Sequence, residues 1–380
     1  IGEILMNISI VGVTYPLRGG ISHHTTTLAK ELSKKHVVKL FSFNKVYTSI
    51  PFLKKFFPGK TEHDKKSKQK IDFSSNNKLS IINPFTWFEI FQKIKYEKSE
   101  KVIFQWFHPI LTPSYFTLSL LLKIFTKTKI IFECHNVYPH EPTFMDGLLI
   151  RIAFLNCNYF IVHSNKDLND LNKIKKKCIV KKSFIPSNDM FQTKNITKIQ
   201  AKKKLKITGD IILFFGYIKE YKGLKYLLNA MPKIKNKKTK LLVVGEFYDD
   251  IKKYQEIIKK EKLEDRVELK NEYVKNEDVA CFFQAADIVV LPYVSATQSG
   301  IIQIAYSLNK PVIATNVGGL PEVIDNGKTG YVVKSKSKDS IAKAIDKYYN
   351  TKNKKYFEDN IKIYKKKFEW DSLVNAVEDI

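Results

Sequence analysis

Short apolar runs alternate with amphipathic stretches along almost the whole chain. The runs that resemble strands are NISIVGVT, VVKLFSF, KVIFQWF and KIIFECHN in the first half, and IILFFGYI, KLLVVGE, VELKNEY and IVVLPY in the second. Between them, stretches such as GISHHTTTLAKELSKK place apolar residues at helical spacing. Strands that are apolar on both faces and separated by helices are typical of parallel sheets covered on both sides. We therefore predict an α/β fold with doubly wound sheets.

The polar stretch from Pro186 to Lys202 separates two such series of strands and helices. A chain of 380 residues is longer than the roughly 250–300 residues over which one hydrophobic core usually grows. We predict two Rossmann-like domains, residues 6–188 and 189–363. The end of the chain, Phe368–Ile380, has the pattern of a terminal amphipathic helix.

The segment Ala286–Val333 is the most informative part of the chain. It contains a short apolar run, Ile288–Tyr293, a polar turn, a helix, a second run, Pro311–Thr315, and the glycine turn NVGGLPE. The polar turn offers hydroxyl groups, an amide and unhindered backbone N–H groups just before the helix, from Thr297, Gln298, Ser299 and Gly300. Backbone N–H groups at a helix N-terminus favour anions, so this turn is predicted to bind a phosphate.

Two motifs of the first half also place polar groups at strand ends. In LRGGISHH, Gly19 and Gly20 let the backbone approach a ligand, with His23 and His24 at the start of the helix; a plain tight turn is the alternative interpretation. In IIFECHNVYPHEP, His135 follows a strand, and His140 lies close by in sequence. Ligands of open α/β sheets bind at the carboxyl ends of the strands, which makes His135 a candidate site residue.

The loop FFGYIKEYKGL of the second half carries Gly216, Lys219 and Lys222 between a strand and a helix. Two cations beside a glycine turn are suited to neutralise a diphosphate. Chance placement is the alternative in a chain so rich in lysine. Further along, Glu246, Tyr273 and Val274 follow strands, where ligands of open α/β sheets bind.

The order and spacing of these motifs resemble the retaining GT-B glycosyltransferases of family 4. The resemblance covers nearly the whole chain and implies two Rossmann-like domains that face each other across a cleft. It implies an acceptor-side N-terminal domain, a nucleotide-sugar-binding C-terminal domain, and a helix of about residues 364–380 that packs back on the first. It further implies that His135 contacts the transferred sugar as the catalytic-site residue and that backbone groups near Tyr273 and Val274 bind the base.

The chain departs from this family at one place. Family members usually carry two glutamates with seven residues between them, and these align with Ala296 and Ile304. The chain is thus a variant that lacks the paired glutamates.

The charge balance is strongly basic, with 65 basic and 38 acidic residues and a net charge of +27. Such a surface attracts polyanions, although a solvated basic surface is the favoured interpretation. We find no recognition-helix, zinc or aromatic-basic sheet pattern, so a nucleic-acid partner is disfavoured. The segments Tyr47–Lys60 and Asn83–Lys95 combine lysines with aromatic residues and suit docking on an anionic membrane. Packing of these segments on the core is somewhat favoured over docking.

The four cysteines, at 134, 157, 178 and 281, have neither disulfide nor metal-ligand spacing, which favours reduced thiols. No apolar stretch has the roughly 20 residues that a membrane-spanning helix needs, and no secretory leader is visible. We therefore expect a cytoplasmic protein with possible peripheral docking on the inner face of the membrane.

These features together predict a glycosyltransferase that retains anomeric configuration and moves a hexose from a nucleotide-diphosphate sugar to a glycan or a lipid-linked acceptor. No cofactor or metal is expected. Two alternatives stay open: a catalytically silent GT-B subunit, because of Ala296 and Ile304, and a basic polyanion-binding protein, because of the net charge.

Overall fold

The computed structural model describes residues 5–46, 62–187, 189–192 and 196–380. The chain divides into two compact units. The first unit contains the chain up to Lys66, Lys70–Phe184 and Trp370–Ile380, and the second contains Ser67–Gln69 and Ile185–Glu369. Each unit is built around a parallel sheet with helices, which confirms the predicted Rossmann-like fold class.

The first unit holds a seven-stranded parallel sheet in the order β3-β2-β1-β4-β5-β6-β7. The strands are β1 (Asn7–Gly12), β2 (Val37–Lys45), β3 (Asn76–Ser80), β4 (Lys101–Trp106), β5 (Lys129–Cys134), β6 (Tyr159–Val162) and β7 (Ile179–Lys182). The strand order reverses beside β1, which is the switch point where ligands of open α/β sheets bind.

The second unit holds a six-stranded parallel sheet in the order β10-β9-β8-β11-β12-β13. The strands are β8 (Ile211–Phe215), β9 (Lys240–Val244), β10 (Val267–Lys270), β11 (Ile288–Leu291), β12 (Val312–Thr315) and β13 (Gly330–Val333). Its order reverses between β8 and β11, so the loops after these two strands meet at the switch point.

Thirteen α-helices lie among the described residues. Those of the first unit are α1 (Gly20–Leu32), α2 (Pro84–Tyr96), α3 (Thr112–Phe125), α4 (Asp146–Ala153), α5 (Asn165–Ile174) and α13 (Trp370–Glu378). Those of the second are α6 (Lys198–Leu205), α7 (Leu224–Ala230), α8 (Lys252–Lys260), α9 (Asn276–Ala285), α10 (Gly300–Ser307), α11 (Lys338–Asn350) and α12 (Lys355–Tyr364).

The first sheet is apolar on both faces because successive side chains of a strand point to opposite sides. Val102 and Phe104 belong to a core with helices α2, α3 and α4, whereas Ile103 between them belongs to a second core with α1 and α13. In the second core, Leu373 and Val377 of α13 are fully buried. The terminal helix is therefore a structural part of the first unit, at about 1.5–3 kcal/mol for each large apolar side chain that it buries.

The aromatic, basic segment Asn83–Lys95 forms most of α2. One face of this helix buries Ile90, Phe91 and Ile94, as core packing requires. The opposite face leaves Phe85 and Phe88 exposed, at 84% and 54% of their surface. The other such segment, Tyr47–Lys60, lies outside the described residues. None of the described helices combines the length and the apolar character that a membrane crossing requires.

Candidate active site

The polar residues of the first unit meet where β4, β5 and β6 end. In the sheet register Gln105 of β4 lies beside Glu133 of β5, and Glu133 lies beside Ile161 of β6. His135 follows β5 directly, and its backbone N–H donates to the carbonyl of Trp106 over 2.9 Å. The carboxyl ends of three neighbouring strands thus bring their polar side chains into one place, and His135 lies at a strand end as its motif predicts.

Two histidines contact the carboxylate of Glu133, and a third lies beside them. His24, which α1 supplies, places Nε2 at 2.6 Å from Glu133 Oε1, and His163, which follows β6, places Nε2 at 3.3 Å from the same oxygen. The His24 and His135 rings contact each other edge to face, with centroids 4.8 Å apart. Glu133 and His163 are fully buried, and His24 and His135 are 8% and 9% exposed. We call His24, Gln105, Glu133, His135 and His163 the histidine cluster.

A second set of hydrogen bonds links Glu133 to His135 through an amide. Gln105 Nε2 lies 2.5 Å from Glu133 Oε2, and Gln105 Oε1 lies 2.8 Å from His135 Nε2. Gly12 of β1 makes room for this amide, because a Cβ at that position would lie 2.6 Å from the Gln105 Cβ. The side chain of Gln105 is therefore held between β1 and β5.

Burial and charge set the protonation of the cluster. Burial alone would raise the pKa of Glu133, but His24 and His163 more than offset it and hold that pKa well below its usual range. Burial also acts to lower the pKa of His163, and the interaction with Glu133 overcomes it, so that the pKa is raised. Burial and the neighbouring His24 lower the pKa of His135 well below its ordinary value. At neutral pH the cluster thus contains an ionised Glu133 and a neutral His135.

One ring nitrogen from each of His24, His135 and His163 lies within 4.8 Å of the others. Imidazole nitrogens so grouped are potential ligands for a divalent transition metal. However, His24 Nε2 and His135 Nε2 both lie at hydrogen-bond distance from side-chain oxygens, of Glu133 and Gln105 respectively. A metal would have to displace both hydrogen bonds, so the arrangement fits an ionised hydrogen-bonded cluster better than a metal centre.

The glycine turn before α1 has a backbone conformation that favours glycine. Gly19 precedes the helix with φ 123, a value that side-chain-bearing residues rarely adopt, and a Cβ at Gly20 would meet no atom within 4 Å. His23 is buried against Tyr15, with ring centroids 5.8 Å apart, and burial lowers its pKa to about 4. Of the two predicted histidines, only His24 reaches Glu133. His140 lies half-buried in the bend after β5.

The second unit brings Gly216 and Lys222 together at the end of β8. A Cβ at Gly216 would lie 3.2 Å from Lys222 Nζ and 3.4 Å from Ile301 Cδ1. The ammonium group of Lys222 therefore lies over Gly216, on the side where Ile301 of α10 also approaches this glycine. The same group is 5.4 Å from the ring centroid of Tyr293. Burial lowers the pKa of Lys222.

The residue after Lys222 explains this placement. Gly223 has φ 67, and a Cβ there would lie only 2.1 Å from the Pro292 carbonyl oxygen. Only glycine permits both this left-handed conformation and this close approach. The loop is thereby fixed against the end of β11, with Lys222 directed toward the switch point.

Four predicted residues precede or begin α10. Thr297 and Ser299 are buried, Gln298 is half-buried, and Gly300 is exposed, with no atom within 4 Å of a Cβ built on it. The turn that contains Gly318 and Gly319 packs against these residues. The N–H of Gly319 donates to the Thr297 carbonyl over 2.8 Å. Gly318 has φ 54 and lies close to the Ala296 backbone, because a Cβ built on this glycine would be 1.7 Å from the Ala296 carbonyl oxygen.

The other predicted residues of the second unit lie at strand ends with contacts of their own. Lys219 lies over the ring of Tyr248, at 5.7 Å, whereas Lys222 lies over Tyr293. The carbonyl of Glu246, which follows β9, accepts the N–H of Ile218 over 2.9 Å. Tyr273 and Val274 are half-buried in the loop between β10 and α9. The two lysines of the predicted pair thus contact different aromatic rings.

The positions aligned with the family glutamates are both buried, Ala296 at 2% and Ile304 at 9% exposure. Gln105 and Glu133 are absent from the site residues predicted from the sequence, and so is Tyr293. The available signal for the first two is a polar residue within an apolar strand, in KVIFQWF and in KIIFECHN. Such a residue is costly to bury unless it is hydrogen-bonded.

The fold is similar to that of solved structures. The structure is similar over 98% of both chains to sucrose-phosphate synthase from Thermosynechococcus elongatus, with a TM-score of 0.74 and 16% identity. It is also similar to Anabaena HepE in complex with UDP and glucose, over 98% of both chains, with a TM-score of 0.73 and 14% identity. The chain therefore has the GT-B fold of glycosyltransferases.

The sequence of the second unit is similar to a family of glycosyltransferases. Residues 209–351, which contain β8 to β13, match the family model described as Glycosyl transferases group 1. An uncharacterized glycosyltransferase of Methanocaldococcus jannaschii is 28% identical over 190 residues, which is 48% of each chain. The matches to this and the next curated relatives span about half of their length or less. These matches confirm the predicted resemblance to GT-B glycosyltransferases.

Proposed function

We propose that this protein is a retaining glycosyltransferase that moves a hexose from a nucleotide-diphosphate sugar to a glycan or lipid-linked acceptor. The observation that carries the proposal is the position of Lys222 Nζ, over Gly216 and beside the first turn of α10. A cation, an open glycine and free helix N–H groups are the elements that bind a diphosphate. The match to group 1 glycosyltransferases supports the same assignment.

The second unit would stabilise the leaving group. When the bond between the anomeric carbon and the diphosphate oxygen breaks, negative charge develops on the diphosphate. Lys222, the hydroxyl of Ser299 and the N–H of Gly300 are suited to stabilise that charge, because they are already oriented before the reaction begins. Burial lowers the pKa of Lys222, and an adjacent diphosphate would act to raise that pKa.

The first unit would hold the sugar. His135, neutral and nearly buried, is suited to hydrogen-bond a sugar hydroxyl without adding charge near the cationic anomeric carbon. Retention requires that the acceptor oxygen bonds to the anomeric carbon on the face that the diphosphate leaves. The acceptor proton then passes to the departing phosphate oxygen, so that atoms and charges balance without a metal or a cofactor.

A relative suggests which donors to test first. HepE, which shares the fold, has been solved with UDP and glucose. We therefore propose UDP-hexoses as the leading donor class, with GDP- and ADP-sugars as the next.

The test is a screen of UDP-, GDP- and ADP-sugars for release of nucleoside diphosphate, with membrane lipid extract and oligosaccharides as acceptors. One donor class should give saturable turnover, and the anomeric configuration of its product, measured by NMR coupling constants, should equal that of the donor. Saturable binding without turnover would instead support the silent subunit that Ala296 and Ile304 suggest. No binding of any donor would contradict the proposal.

A second candidate function, polyanion binding, is favoured by a cavity at the other end of the first sheet. This cavity, of about 920 Å³, lies at the amino-terminal ends of β1, β4 and β5, away from the histidine cluster. The lysines that line it are Lys35, Lys95, Lys98, Lys101, Lys127 and Lys129. Binding of polyphosphate that falls steeply with salt, and that Lys95→Glu with Lys127→Glu abolishes, would support this candidate.

Docking on an anionic membrane at the cytoplasmic face is a further part of the proposal. The exposed Phe85 and Phe88 of α2 and the lysines beside them support it. Vesicles that contain phosphatidylglycerol should bind the protein more tightly than neutral vesicles, and Phe85→Ser with Phe88→Ser should weaken that binding. Equal binding to both kinds of vesicle would count against docking.

A further inference from the structure

The hydrogen bonds of the histidine cluster determine which nitrogen of His135 carries the proton. A carboxylate only accepts hydrogen bonds, so the group of Gln105 that faces Glu133 Oε2 must be the NH2 group. The carbonyl oxygen of the same amide then faces His135, at 2.8 Å from Nε2. An amide oxygen also only accepts, so His135 must donate from Nε2.

We propose that Glu133 and Gln105 are positioning residues that hold His135 as the neutral tautomer with its proton on Nε2, so that Nδ1 is the acceptor of the ring. The role of this tautomer rests on the proposed function, because a sugar hydroxyl that donates a hydrogen bond needs an acceptor nitrogen as its partner. Neither residue touches the sugar in this account. Both act through His135.

Three features fix the amide of Gln105 in this orientation. Glu133 stays ionised because His24 and His163 surround its other oxygen, at 2.6 and 3.3 Å. Gly12 leaves room for the Gln105 side chain, as the 2.6 Å distance to a Cβ built there shows. Turning the amide by half a turn would direct its carbonyl oxygen at the carboxylate and leave two acceptors face to face. The orientation is thus set by charge and by packing.

The rest of the cluster supports the same assignment. His163 Nδ1 donates to the carbonyl of Ser183 over 2.7 Å, which leaves its Nε2 directed at Glu133. Glu133, Gln105 and His163 are all completely buried. Water therefore does not compete for these hydrogen bonds, and a preference between the two tautomers is correspondingly strong.

The test is the side-chain NMR spectrum of protein with ¹⁵N-labelled histidine, in which each tautomer has its own pattern of couplings. The His135 signals are identified by their loss in His135→Gln. We expect a proton on Nε2 in the wild type. In Glu133→Gln the amide of Gln105 loses its fixed acceptor, so both tautomers should be populated. Gln105→Met, which is similar in size and has no polar group, should also remove the preference without introducing a charge.

Asp146→Asn is the matched control, because it changes another buried carboxylate of the first unit into an amide away from the cluster. It should lower stability while leaving the His135 spectrum unchanged. A proton on Nδ1 in the wild type, or an unchanged spectrum in both cluster variants, would overturn the inference. The spectrum needs no substrate, so it separates failure of this inference from failure of the proposed function.

If transfer is observed, Glu133→Gln should lower kcat about tenfold and change the KM for the donor by less than about twofold. A residue that only stabilises the fold would lower the amount of active protein instead, without a change in the His135 tautomer. A kcat equal to that of the wild type, in a variant with mixed tautomers, would show that the tautomer has no role in transfer.

Discussion

The two units each carry a candidate site at the carboxyl ends of their strands, but they build it from different parts of the chain. In the first unit the site consists of buried side chains that hydrogen-bond to one another around Glu133. In the second it consists of glycine turns and helix N–H groups, with Lys222 as the cation beside Gly216. A site built from side chains depends on the protonation state of those side chains and on their hydrogen-bond partners. A site built from backbone groups depends on backbone conformations that glycine adopts readily and other residues rarely do.

The largest expected effect comes from the backbone of the second unit. Gly318→Ala would place a Cβ 1.7 Å from the Ala296 carbonyl oxygen at a φ of 54. The clash and the left-handed conformation together should cost about 2–5 kcal/mol of unfolding free energy, since overpacking costs about 1–3 and the conformation about 1–2. Urea unfolding of wild type and variant measures the difference.

Gly327→Ala is the matched control for the clash. This glycine also has a positive φ, of 89, but a Cβ there would meet no atom within 4 Å. Only the conformational strain remains, so a loss of about 1–2 kcal/mol is expected. Equal losses of unfolding free energy in Gly318→Ala and Gly327→Ala would contradict the close approach of Gly318 to the Ala296 carbonyl.

The second effect concerns charge rather than backbone. Lys222→Met keeps the aliphatic side chain and removes the ammonium group beside Gly216, so kcat/KM should fall about 10²- to 10³-fold, as for other lost groups that stabilise developing charge. Lys225→Met is the control, because this neighbouring lysine pairs with Glu220 at the surface. The two variants change the net charge equally, and similar kinetics for both would show that Lys222 has no special role.

The third effect is a pH dependence of stability that arises from His23 in the first unit. Burial lowers the pKa of His23 to about 4 from 6.5, so the unfolded chain binds a proton there more readily than the folded chain. Stability should therefore fall as the pH drops from about 6.5 to about 4, by about 3 kcal/mol from this residue alone. His23→Gln should lose this part of the pH dependence.

Urea unfolding of wild type and His23→Gln at pH 7 and pH 4.5 checks this prediction. Other groups titrate in both proteins, so the difference between the two pH dependences isolates His23. An identical pH dependence in both would mean that His23 titrates in the folded protein as it does in the unfolded chain.

The sequence predicted the fold well because its signals are local. Apolar runs such as IVVLPY and PVIAT correspond to β11 and β12, and the polar turn between them does precede a helix, α10. His135 follows β5, as its motif predicts, and Lys222 lies beside Gly216 within one short loop.

The side-chain partners could not be predicted in the same way. Gln105 and Glu133 are 28 residues apart in the chain, and they meet only because β4 and β5 are neighbours in register. The fixed position of Lys222 likewise depends on Gly223 packing against the Pro292 carbonyl, a contact between distant loops. Strand order and rotamers decide such contacts, and a single sequence does not specify them.

We propose that the second unit binds a nucleoside diphosphate through Lys222 and the first turn of α10. Calorimetric titration of UDP, GDP and ADP into the wild type, Lys222→Met and Lys225→Met, at low and high salt, tests it most directly. We expect one site per chain for one nucleotide, a loss of binding in Lys222→Met, and little change in Lys225→Met. Weak binding of all three nucleotides that disappears with salt and is equal in the three proteins would contradict it.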